Sequence, residues 1–443
     1  MHLVRFRFCL VLVCVTLFTA LSQIAAAKIL CVKPGGSHGC YATIQAAVNA
    51  ASRHTIIKVG PGTYAEDVVI GKPLSLIGAG ADRTIIDATG LPNGIFVDGL
   101  DNPGLHHVTV AGFTVQKALY EGVLLVSVSH VTIRDNHIVN NTQTPAVFGS
   151  GPACNGQPAF ETDESGDCGG GLHLIGVAYS TMAHNLLTGN GDGILISDET
   201  AESHDNLLFH NNASDNPPEC GIVLASHPPV GSAPPNFAPH YGVDRNTVAA
   251  NISSNNGVTV GGGGVGLFSD GAGSGKVSGN LIIGNVLTGN GIAGVSLHTH
   301  VGPAFGLPPD DMNGNKIIGN FLAGNGPDTD DTATPGPTGI NINSGGGGTP
   351  VQGTIISQNI FKNEQIDIAV NTPAEVDAHF NNLLGGMVGV ENVCAFDSAS
   401  CAGSIDATRN FWGCAGGPGA TGCSTTSGAN ISVAPWLRRF FRQ

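Results

Sequence analysis

Short segments in which apolar residues alternate with other residues recur along most of this 443-residue chain. Each starts at a glycine, or in one case a glutamine, and the alternation places one side-chain face of an extended strand in a core. The pattern therefore predicts a series of short β-strands. They read GIFVDGL from Gly94, GVLLVSV from Gly122, GLHLIGV from Gly171, GILISDE from Gly193, GIVLASH from Gly221, GVGLFSD from Gly264, GVSLHTH from Gly294, GININSG from Gly339 and QIDIAVN from Gln365.

A second pattern lies between these strands: an apolar residue, two variable residues, an asparagine, and another asparagine five positions later. Its copies are Asn136/Asn141, Asn185/Asn190, Asn211/Asn216, Asn251/Asn256, Asn285/Asn290 and Asn320/Asn325, with Asn359 followed by Glu364 in a seventh. A repeat of roughly 22 to 30 residues with three long insertions and no intervening helix predicts a parallel β-helix. The asparagines are then expected at corners, in left-handed backbone and with their amides bonded along the stack.

Both ends of such a solenoid need covering, because each leaves unpaired strand edges and an open core. The segment YATIQAAVNAAS places apolar side chains on one helical face (Ile44, Ala47, Val48 and Ala51), which predicts an N-terminal helical lid. TIIKVGPGTY and LSLIGAG follow as the first strands. Near the other end, Phe411 and Trp412 lie among cysteines, which indicates a compact C-terminal cap.

The composition agrees with this architecture and excludes others. The chain has 65 glycines, 12% charged residues and 41% hydrophobic residues, whereas an ordinary globular domain carries about 25% charged residues. The apolar content disfavours disorder, and the glycines lack the three-residue period of collagen. A net charge of −15 disfavours a nucleic-acid partner.

The first 27 residues predict export. Two arginines, an apolar run to Ile24 and three alanines are typical of a secretory signal peptide, with a retained membrane anchor as the alternative; no later segment is apolar enough to cross a membrane. In an exported chain, close cysteine pairs predict local disulfides, here Cys31/Cys40, Cys154/Cys168, Cys394/Cys401 and Cys414/Cys423, with Cys220 left over.

These observations predict an all-β, single-stranded right-handed parallel β-helix (a solenoid) with an N-terminal helical cap and a disulfide-stapled C-terminal cap. The predicted divisions are a signal peptide over residues 1–27, the β-helix with its N-terminal cap over 28–390, and the C-terminal cap over 391–443.

The chain resembles the pectin-lyase-like superfamily of parallel β-helix repeat proteins. The likeness is carried by ATIQAAVNAA and GPGTYAEDVVIGKPLSLIGAG between Ala42 and Gly80, by the asparagine repeats, and by NFWGCAGGPGATGC, which looks like a segment of secreted bacterial members. The resemblance implies the fold and a secreted protein, but no single reaction, since the superfamily includes lyases, hydrolases, esterases, epimerases and proteins without known activity. NTD, GHG, RIK and DPHG signatures of its enzymes are absent.

Candidate chemistry lies at the ends of four consecutive strands. When these strands are aligned at their glycines, the seventh position predicts a column of acids and imidazoles, joined by His298 from the fifth position: Glu199, His227, Asp270, His298 and His300. Such a column could supply an acid and a base to a sugar chain, or a histidine that removes a proton beside a uronate carboxylate. Expected substrate contacts are Phe268, Tyr241, Asp310 and Asp311, and a Ca²⁺ loop is expected at Asp328, Asp330 and Asp331.

Other titratable residues are expected to be structural. His173, His184 and His210 are interpreted as corner or surface residues, and the loop from Cys154 to Cys168, which contains Glu161, as a stapled surface excursion rather than a metal site.

Two functions remain open on this sequence. One is a secreted carbohydrate-active enzyme, of lyase or glycoside hydrolase type, that cleaves or epimerises a polysaccharide. The other is a non-catalytic surface or adhesion module that binds glycan or protein. The mixture of titratable groups in the column favours the enzyme, whereas the 6% aromatic content favours the module.

Overall fold

The computed structural model describes residues 28–144, 157–158, 160–161, 169–227, 229, 240–269, 275–299, 310–329, 334–343, 351–371, 373–392 and 403–442. These residues form one α-helix, α1 (Ile44–Ala50), and 39 β-strands numbered in chain order. Three long sheets of parallel strands contain all but two of the strands, and most coils of the chain add one strand to each sheet in turn.

The first sheet has 14 strands. In spatial order they are β1 (Ile29–Val32), β2 (Thr55–Val59), β5 (Leu74–Gly78), β8 (Thr109–Ala111), β11 (Thr132–Arg134), β14 (Thr181–Ala183), β18 (Leu207–Phe209), β22 (Thr247–Ala249), β25 (Leu281–Ile283), β28 (Lys316–Ile318), β31 (Val351–Ser357), β34 (Ala374–His379), β37 (Ser404–Asp406) and β39 (Ile431–Ser432).

The second sheet has 11 strands and follows the first after a tight corner. Its strands are β3 (Gly62–Tyr64), β6 (Thr84–Asp87), β9 (Thr114–Gln116), β12 (His137–Val139), β15 (Leu186–Thr188), β19 (Asn212–Ala213), β23 (Ile252–Ser254), β26 (Val286–Thr288), β29 (Phe321–Ala323), β32 (Ile360–Lys362) and β35 (Asn382–Leu384).

The third sheet has 12 strands and contains all the glycine-led segments predicted from the sequence. Its strands are β4 (Val68–Ile70), β7 (Ile95–Asp98), β10 (Val123–Val126), β13 (Gly170–Ile175), β16 (Asp192–Ser197), β20 (Ile222–Ser226), β24 (Val265–Ser269), β27 (Val295–Thr299), β30 (Thr338–Ile342), β33 (Ile366–Val370), β36 (Val388–Asn392) and β38 (Thr425–Gly428). The two remaining strands, β17 (Ser203–His204) and β21 (Val243–Asp244), pair with each other.

The register of the 12-stranded sheet separates an inner face from an outer one. One inward column fills the core with aliphatic side chains from nine coils: Val123, Leu172, Ile194, Ile222, Val265, Val295, Ile340, Ile368 and Val390. The next residue of each strand faces outward: Leu124, His173, Leu195, Val223, Gly266, Ser296, Asn341, Ala369 and Glu391. Alternation along the sequence therefore correctly predicts which face of this sheet is free to carry polar groups.

The repeated asparagines form buried ladders, as predicted. At Asn251, the side-chain oxygen accepts hydrogen bonds from the backbone N–H and the amide of Asn211, while its own backbone N–H and amide donate to Asn285. A second ladder runs through the other asparagine of each pair and ends where Asn325 donates to Glu364. A third ladder, absent from the sequence interpretation, links Ser180, Asn206, Asn246, Asn280 and Asn315.

The expectation that these asparagines adopt left-handed backbone is wrong. The residue immediately before each of them has the positive φ, as at Asp135, His184, His210 and Ala250. The asparagine itself follows the corner and turns its amide inward, where it bonds to the coils on either side. His184 and His210 are thereby confirmed as corner residues.

Both ends of the coil stack are covered. Thr43 caps α1 by accepting a hydrogen bond from the backbone N–H of Ala46, and Ile44, Ala47 and Val48 of the helix are buried. Trp412 is fully buried in the core at the other end.

The disulfides Cys31–Cys40 and Cys414–Cys423 are formed as predicted. The predicted pairs Cys154/Cys168 and Cys394/Cys401 and the predicted signal peptide lie outside the described residues. Cys220 is buried, and its Sγ accepts a hydrogen bond from Gly263 N–H at 3.0 Å. No helix within the described residues has the length and apolar character needed to cross a membrane.

Candidate functional site

A strip of polar side chains, interrupted by apolar ones, lies along the outer face of the 12-stranded sheet from β13 to β33. Outward positions on such a sheet can carry polar groups because the opposite face alone builds the core. Here, however, the side chains are buried rather than exposed, including Glu199, His227 and His298, which are at most 3% exposed. Buried titratable groups must find hydrogen-bonding partners or change their protonation state.

Glu199 and His227 form a hydrogen-bonded pair at the centre of the strip. Glu199 follows β16 and His227 follows β20, the neighbouring strand, so the two occupy equivalent positions on successive coils. The Nδ1 atom of His227 lies 2.9 Å from Glu199 Oε1, and Ser197 donates a hydrogen bond to Glu199 Oε2 at 2.6 Å. This half of the sequence-predicted column is brought together as expected.

Asp198 lies between the same two coils and was missed by the sequence alignment. Its carboxylate accepts hydrogen bonds from the backbone N–H of His227 at 2.8 Å, from Ser226 Oγ at 3.1 Å and from the backbone N–H of Gly242. Burial raises its pKa to about 7, because desolvation and the nearby Glu199 charge outweigh the hydrogen bonds from these donors. Asp198 can therefore exchange a proton near neutral pH.

His240 completes this part of the strip and was also missed. Its Nδ1 lies 2.8 Å from Ser226 Oγ, and since Ser226 donates to Asp198, Nδ1 carries the proton when Asp198 is ionised. Nε2 of His240 is then an acceptor, and it is buried without a hydrogen-bond partner among the described residues. Burial, followed by repulsion from His227, lowers the pKa of His240 to about 4, so this imidazole is neutral at pH 7.

The strip continues onto the next coils through a ring pair. Phe268 and His298 are in register on β24 and β27, with ring centroids 4.4 Å apart. Ser296 lies 2.9 Å from His298 Nδ1 and donates to Asp328 Oδ2 at 2.6 Å. Asn341 donates to the same Asp328 oxygen at 3.0 Å, which ties the only described member of the predicted Ca²⁺ loop to the strip.

The remaining predicted site residues are placed as follows. Tyr241 is 51% exposed and lies next to His240. Asp310 is buried and accepts a hydrogen bond from Gly275 N–H at 2.9 Å, while Asp311 pairs with the backbone of Lys276. Asp270, His300, Asp330 and Asp331 lie outside the described residues.

Two sequence interpretations of structural residues need correction. His173 is not a corner or surface residue; it is fully buried on β13, in register with Leu124 and Leu195. Glu161 is not on a surface excursion either, because it is 3% exposed and lies beside His173 and Glu121. The alternation along β13 is consistent with His173 on the outer face of the sheet. The sequence, however, does not indicate that Glu161, from the preceding loop, lies beside it.

The central groups can transfer protons. Because Glu199 accepts from Nδ1–H of His227, it fixes the tautomer in which Nε2 is the basic nitrogen, and it stabilises the imidazolium that forms when Nε2 takes a proton. Asp198, with a pKa near neutrality, is suited to give or accept the second proton. Together they form an acid–base set held by Ser197 and Ser226.

Comparisons with known proteins agree on the architecture. The family described as periplasmic copper-binding protein (NosD) matches residues 77–229. The catalytic unit of a thermostable GH87 α-1,3-glucanase from Streptomyces thermodiastaticus is 15% identical, with 95% of this chain and 71% of that chain covered and a TM-score of 0.55. A GH87 α-1,3-glucanase catalytic domain in complex with nigerose is 12% identical, with 92% and 68% covered and a TM-score of 0.54.

The A-module of a mannuronan C-5 epimerase from Azotobacter vinelandii is 16% identical over 89% of this chain and 94% of that one, with a TM-score of 0.46. A search of curated proteins found no match. The parallel sheets, the ladders and the glucanase likeness together show that the chain has the fold of a right-handed parallel β-helix.

Proposed function

We propose that this protein is a secreted carbohydrate-active enzyme that cleaves or epimerises a polysaccharide with the acid–base set at Glu199 and His227. The observation that carries the proposal is the buried hydrogen bond of 2.9 Å between Glu199 and His227, because it orients a base toward a single face of the sheet. The likeness to α-1,3-glucanase catalytic domains supports a polysaccharide substrate. The two disulfides support an oxidising, extracytoplasmic location.

Of the possible reactions, proton abstraction from a uronate residue suits the Glu199–His227 pair best. His227 would remove the proton beside the sugar carboxylate, and Asp198 would protonate the leaving oxygen in a lyase or the opposite face of the ring in an epimerase. A hydrolase would instead need two carboxyl groups set about 5 to 10 Å apart across the scissile bond; Glu199 with the predicted Asp270 would form that pair.

Two properties of the site constrain the proposal. Glu199 and His227 are buried, so a substrate must gain access to their side chains before either can act on it. The net charge of −15 opposes an anionic substrate, and a bound cation would reduce that repulsion. Ca²⁺ at Asp328, Asp330 and Asp331 remains a proposal for such a cation.

The test is a screen of the secreted protein against neutral and uronate polysaccharides, with and without Ca²⁺. New reducing ends together with ultraviolet absorbance from unsaturated uronates would identify a lyase; reducing ends alone would identify a hydrolase. Proton exchange at C5 without cleavage would identify an epimerase. No product on any substrate would contradict the enzyme proposal.

Variants locate the activity. Glu199→Gln and His227→Ala are each expected to lower kcat at least about 100-fold, the usual contribution of a positioned acid or base, and the same loss is expected for Asp270→Ala and His300→Ala. His184→Ala, at an exposed corner of a neighbouring coil, is the matched control and should keep full activity. Full activity in both Glu199→Gln and His227→Ala would overturn the assignment of the site.

A non-catalytic glycan-binding surface is the second candidate, and one observation favours it. The rings of His107, His130, Tyr179 and His204 form a ladder along one corner, with centroids 5.0 to 5.4 Å apart between successive coils. Tyr179 is 55% exposed. Exposed stacked rings can pack against sugar faces; Tyr179→Ala should weaken glycan retention in affinity electrophoresis if this surface binds, and should leave catalysis at Glu199 unchanged.

A further inference from the structure

A second cluster of titratable groups lies beyond the Glu199–His227 pair, on the coils nearer the N-terminus. It consists of Glu121, just before β10, His173 on β13, and Glu161 from the insertion between these strands. One ligand atom from each of the three lies within 4.8 Å of the other two, and all three residues are buried. None of them belongs to the acid–base set described above.

The proton positions in this cluster create an electrostatic conflict. Ser197 donates its hydroxyl proton to Glu199, so the contact of 2.9 Å between Ser197 Oγ and His173 Nε2 requires Nε2–H as the donor. In neutral His173 the lone pair is then on Nδ1, which faces Glu121 Oε1 at 3.6 Å. Two lone pairs that face each other in a buried site repel, unless a cation or an additional proton lies between them.

Glu121 is fixed with one oxygen toward this position. The amide nitrogen of Asn93, in the orientation that satisfies both of its ends, donates to Glu121 Oε2 at 2.6 Å. The other oxygen, Oε1, is fully buried and makes no hydrogen bond within the described residues. Such an oriented, unbonded carboxylate oxygen is suited to bind a positive ligand, since buried carboxylate oxygens are usually bonded.

Apolar packing around Phe160 holds the neighbouring Glu161 in place. Phe160 packs against the outward apolar side chains of Leu124, Val126 and Ile175, which brings Glu161 over His173. Gly169 has a φ of +87°, and a Cβ atom at this residue would lie 2.2 Å from Glu121 Oε1. The apolar residues exclude water, which strengthens the attraction between carboxylates and a cation.

We propose that Glu121, Glu161 and His173 bind one Zn²⁺ ion. Two ligand atoms at about 2.1 Å from a tetrahedral zinc are about 3.4 Å apart, close to the 3.6 Å between Glu121 Oε1 and His173 Nδ1. Two carboxylates balance the charge of the ion, and neutral imidazole with carboxylate oxygen is a ligand set that zinc accepts, whereas Ca²⁺ prefers oxygen alone. Three protein ligands leave a fourth position for water.

The proposed ion is connected to the acid–base set through hydrogen bonds. His173 Nε2–H donates to Ser197, and Ser197 donates to Glu199, which in turn holds His227. Zinc at Nδ1 would fix the protonated Nε2 of His173, and so the orientation of Ser197. The zinc proposal stands on the geometry of the cluster and does not require that the Glu199–His227 pair be catalytic.

The experiment measures metal binding and not activity. The full secreted chain is freed of metal with a chelator, then incubated with Zn²⁺ or Ca²⁺ and separated from free ion before elemental analysis. One zinc and no calcium per chain at this site are expected, together with a rise in Tm on zinc addition that the chelator reverses, because an ion that binds the native state alone stabilises it.

Variants of the ligands, with one control elsewhere, assign the ion to its site. Glu121→Gln and His173→Gln are expected to weaken zinc binding at least about 100-fold and to remove the zinc-dependent rise in Tm. His379→Gln is the matched control, since it disrupts the half-exposed cluster of Asp377, His379 and Asp406 and should leave both readouts unchanged. Glu161→Gln is the substitute should either of the first two variants fail to fold.

The outcomes separate the proposal from its competitor, a doubly protonated His173 that bridges two carboxylates. That competitor predicts less than about 0.1 zinc per chain and no zinc-dependent change in Tm, and either result for the wild-type protein would overturn the proposal. Zinc retained by Glu121→Gln and His173→Gln but lost from His379→Gln would do the same. A failure of zinc binding leaves the polysaccharide screen and the Glu199→Gln test unaffected.

Discussion

Glu364 and Asp367 are acidic residues buried inside the coil stack. Glu364 stands at the end of the second asparagine ladder, where its carboxylate accepts hydrogen bonds from the backbone N–H and the amide of Asn325. Asp367 occupies the position that Gly339 holds in the preceding coil. Burial raises the pKa of Glu364 to about 7, and burial together with the Glu364 charge raises the pKa of Asp367 well above its usual range.

Restoring the repeat residues should therefore stabilise the protein at alkaline pH. In Glu364→Asn combined with Asp367→Gly, both buried carboxylates are gone, and an asparagine oxygen can still accept from Asn325. We expect the free energy of unfolding at pH 8 to rise by roughly 3 kcal/mol, since 1.36 kcal/mol corresponds to each unit of pKa shift. Urea denaturation at pH 8 measures it.

The same double change should have little effect at pH 4.5, where wild-type Glu364 and Asp367 are protonated and carry no charge. This acid measurement is the control for general packing effects. A double variant that is less stable than wild type at pH 8 would show that the two side chains contribute to packing more than their buried charge costs.

Whether a site residue could be predicted from the sequence depended on whether it lies in the repeat or in an insertion. Glu199 and His227 follow aligned strands at the same offset, so the glycine frame predicts that they meet. Asp198 is adjacent to Glu199, but its partners come from Gly242 and Ser226 on another coil and an insertion. His240 and Glu161 approach the strip from insertions whose path no short periodicity encodes, and they could not be found in this way.

At the scale of elements, the asparagine ladders hold the corners between strands. Asn251 illustrates the arrangement: its oxygen serves two donors of Asn211, and its amide serves Asn285 and the backbone carbonyl of Leu208. All of these groups are buried. Each rung of the ladder therefore joins three successive coils. A buried donor or acceptor that loses its partner costs about 1 to 3 kcal/mol.

Asn251→Ala should consequently destabilise the protein by about 2 to 4 kcal/mol, because it leaves the backbone N–H of Asn211 and the carbonyl of Leu208 without their partners. Urea denaturation monitored by circular dichroism measures the loss. Asn212→Ala is the matched control on the neighbouring coil: this asparagine is half-buried and outside the ladder, and its removal should cost less than about 1 kcal/mol. Equal losses in the two variants would contradict the role of the ladder.

The elements themselves were largely predictable, and the reason is physical. Every glycine-led segment forms a strand of the 12-stranded sheet, since alternation and stacking impose the same constraint on each coil. The backbone conformation of the corners was not predictable from the asparagines alone, because the left-handed position is occupied by Asp135, His184, Ala250 and glycines, which share no single residue type. Only the ladder residue that follows is uniform.

At the scale of the whole molecule, acids with a raised pKa outnumber acids with a lowered pKa among the described residues. Burial raises the pKa of Asp67 to about 6 and those of Asp198 and Glu364 to about 7. The acids with lowered pKa, such as Asp87 at about 2, are exposed or half-buried and are held by hydrogen bonds, mainly from Thr89. His240 is the principal base among the described residues, with its pKa lowered to about 4.

These shifts determine how stability changes with pH. An acid whose pKa is raised in the folded state stabilises the fold fully below its unfolded pKa of about 4, and this contribution is lost as pH rises to about 7. His240 acts in the opposite direction, because the unfolded imidazole takes up a proton below about pH 6.5 that the folded one does not. The four raised acids, Asp67, Asp198, Glu364 and Asp367, outweigh His240, so stability is greater in the acid range. Asp87 loses its contribution only below about pH 4.

We therefore expect maximal stability at about pH 4 to 5, and a free energy of unfolding at pH 8 that is lower by at least about 3 kcal/mol. Urea denaturation of the full chain between pH 4 and pH 9, in the presence of a chelator so that metal binding does not contribute, measures the profile. In Glu364→Asn with Asp367→Gly the decline between pH 5 and pH 8 should become shallower, because fewer raised acids remain. A wild-type profile that is flat or rises from pH 6 to pH 8 would mean that the buried acids are hydrated or paired in the folded protein. Asp198 would then be ionised throughout the pH range in which the proposed proton transfer needs it protonated.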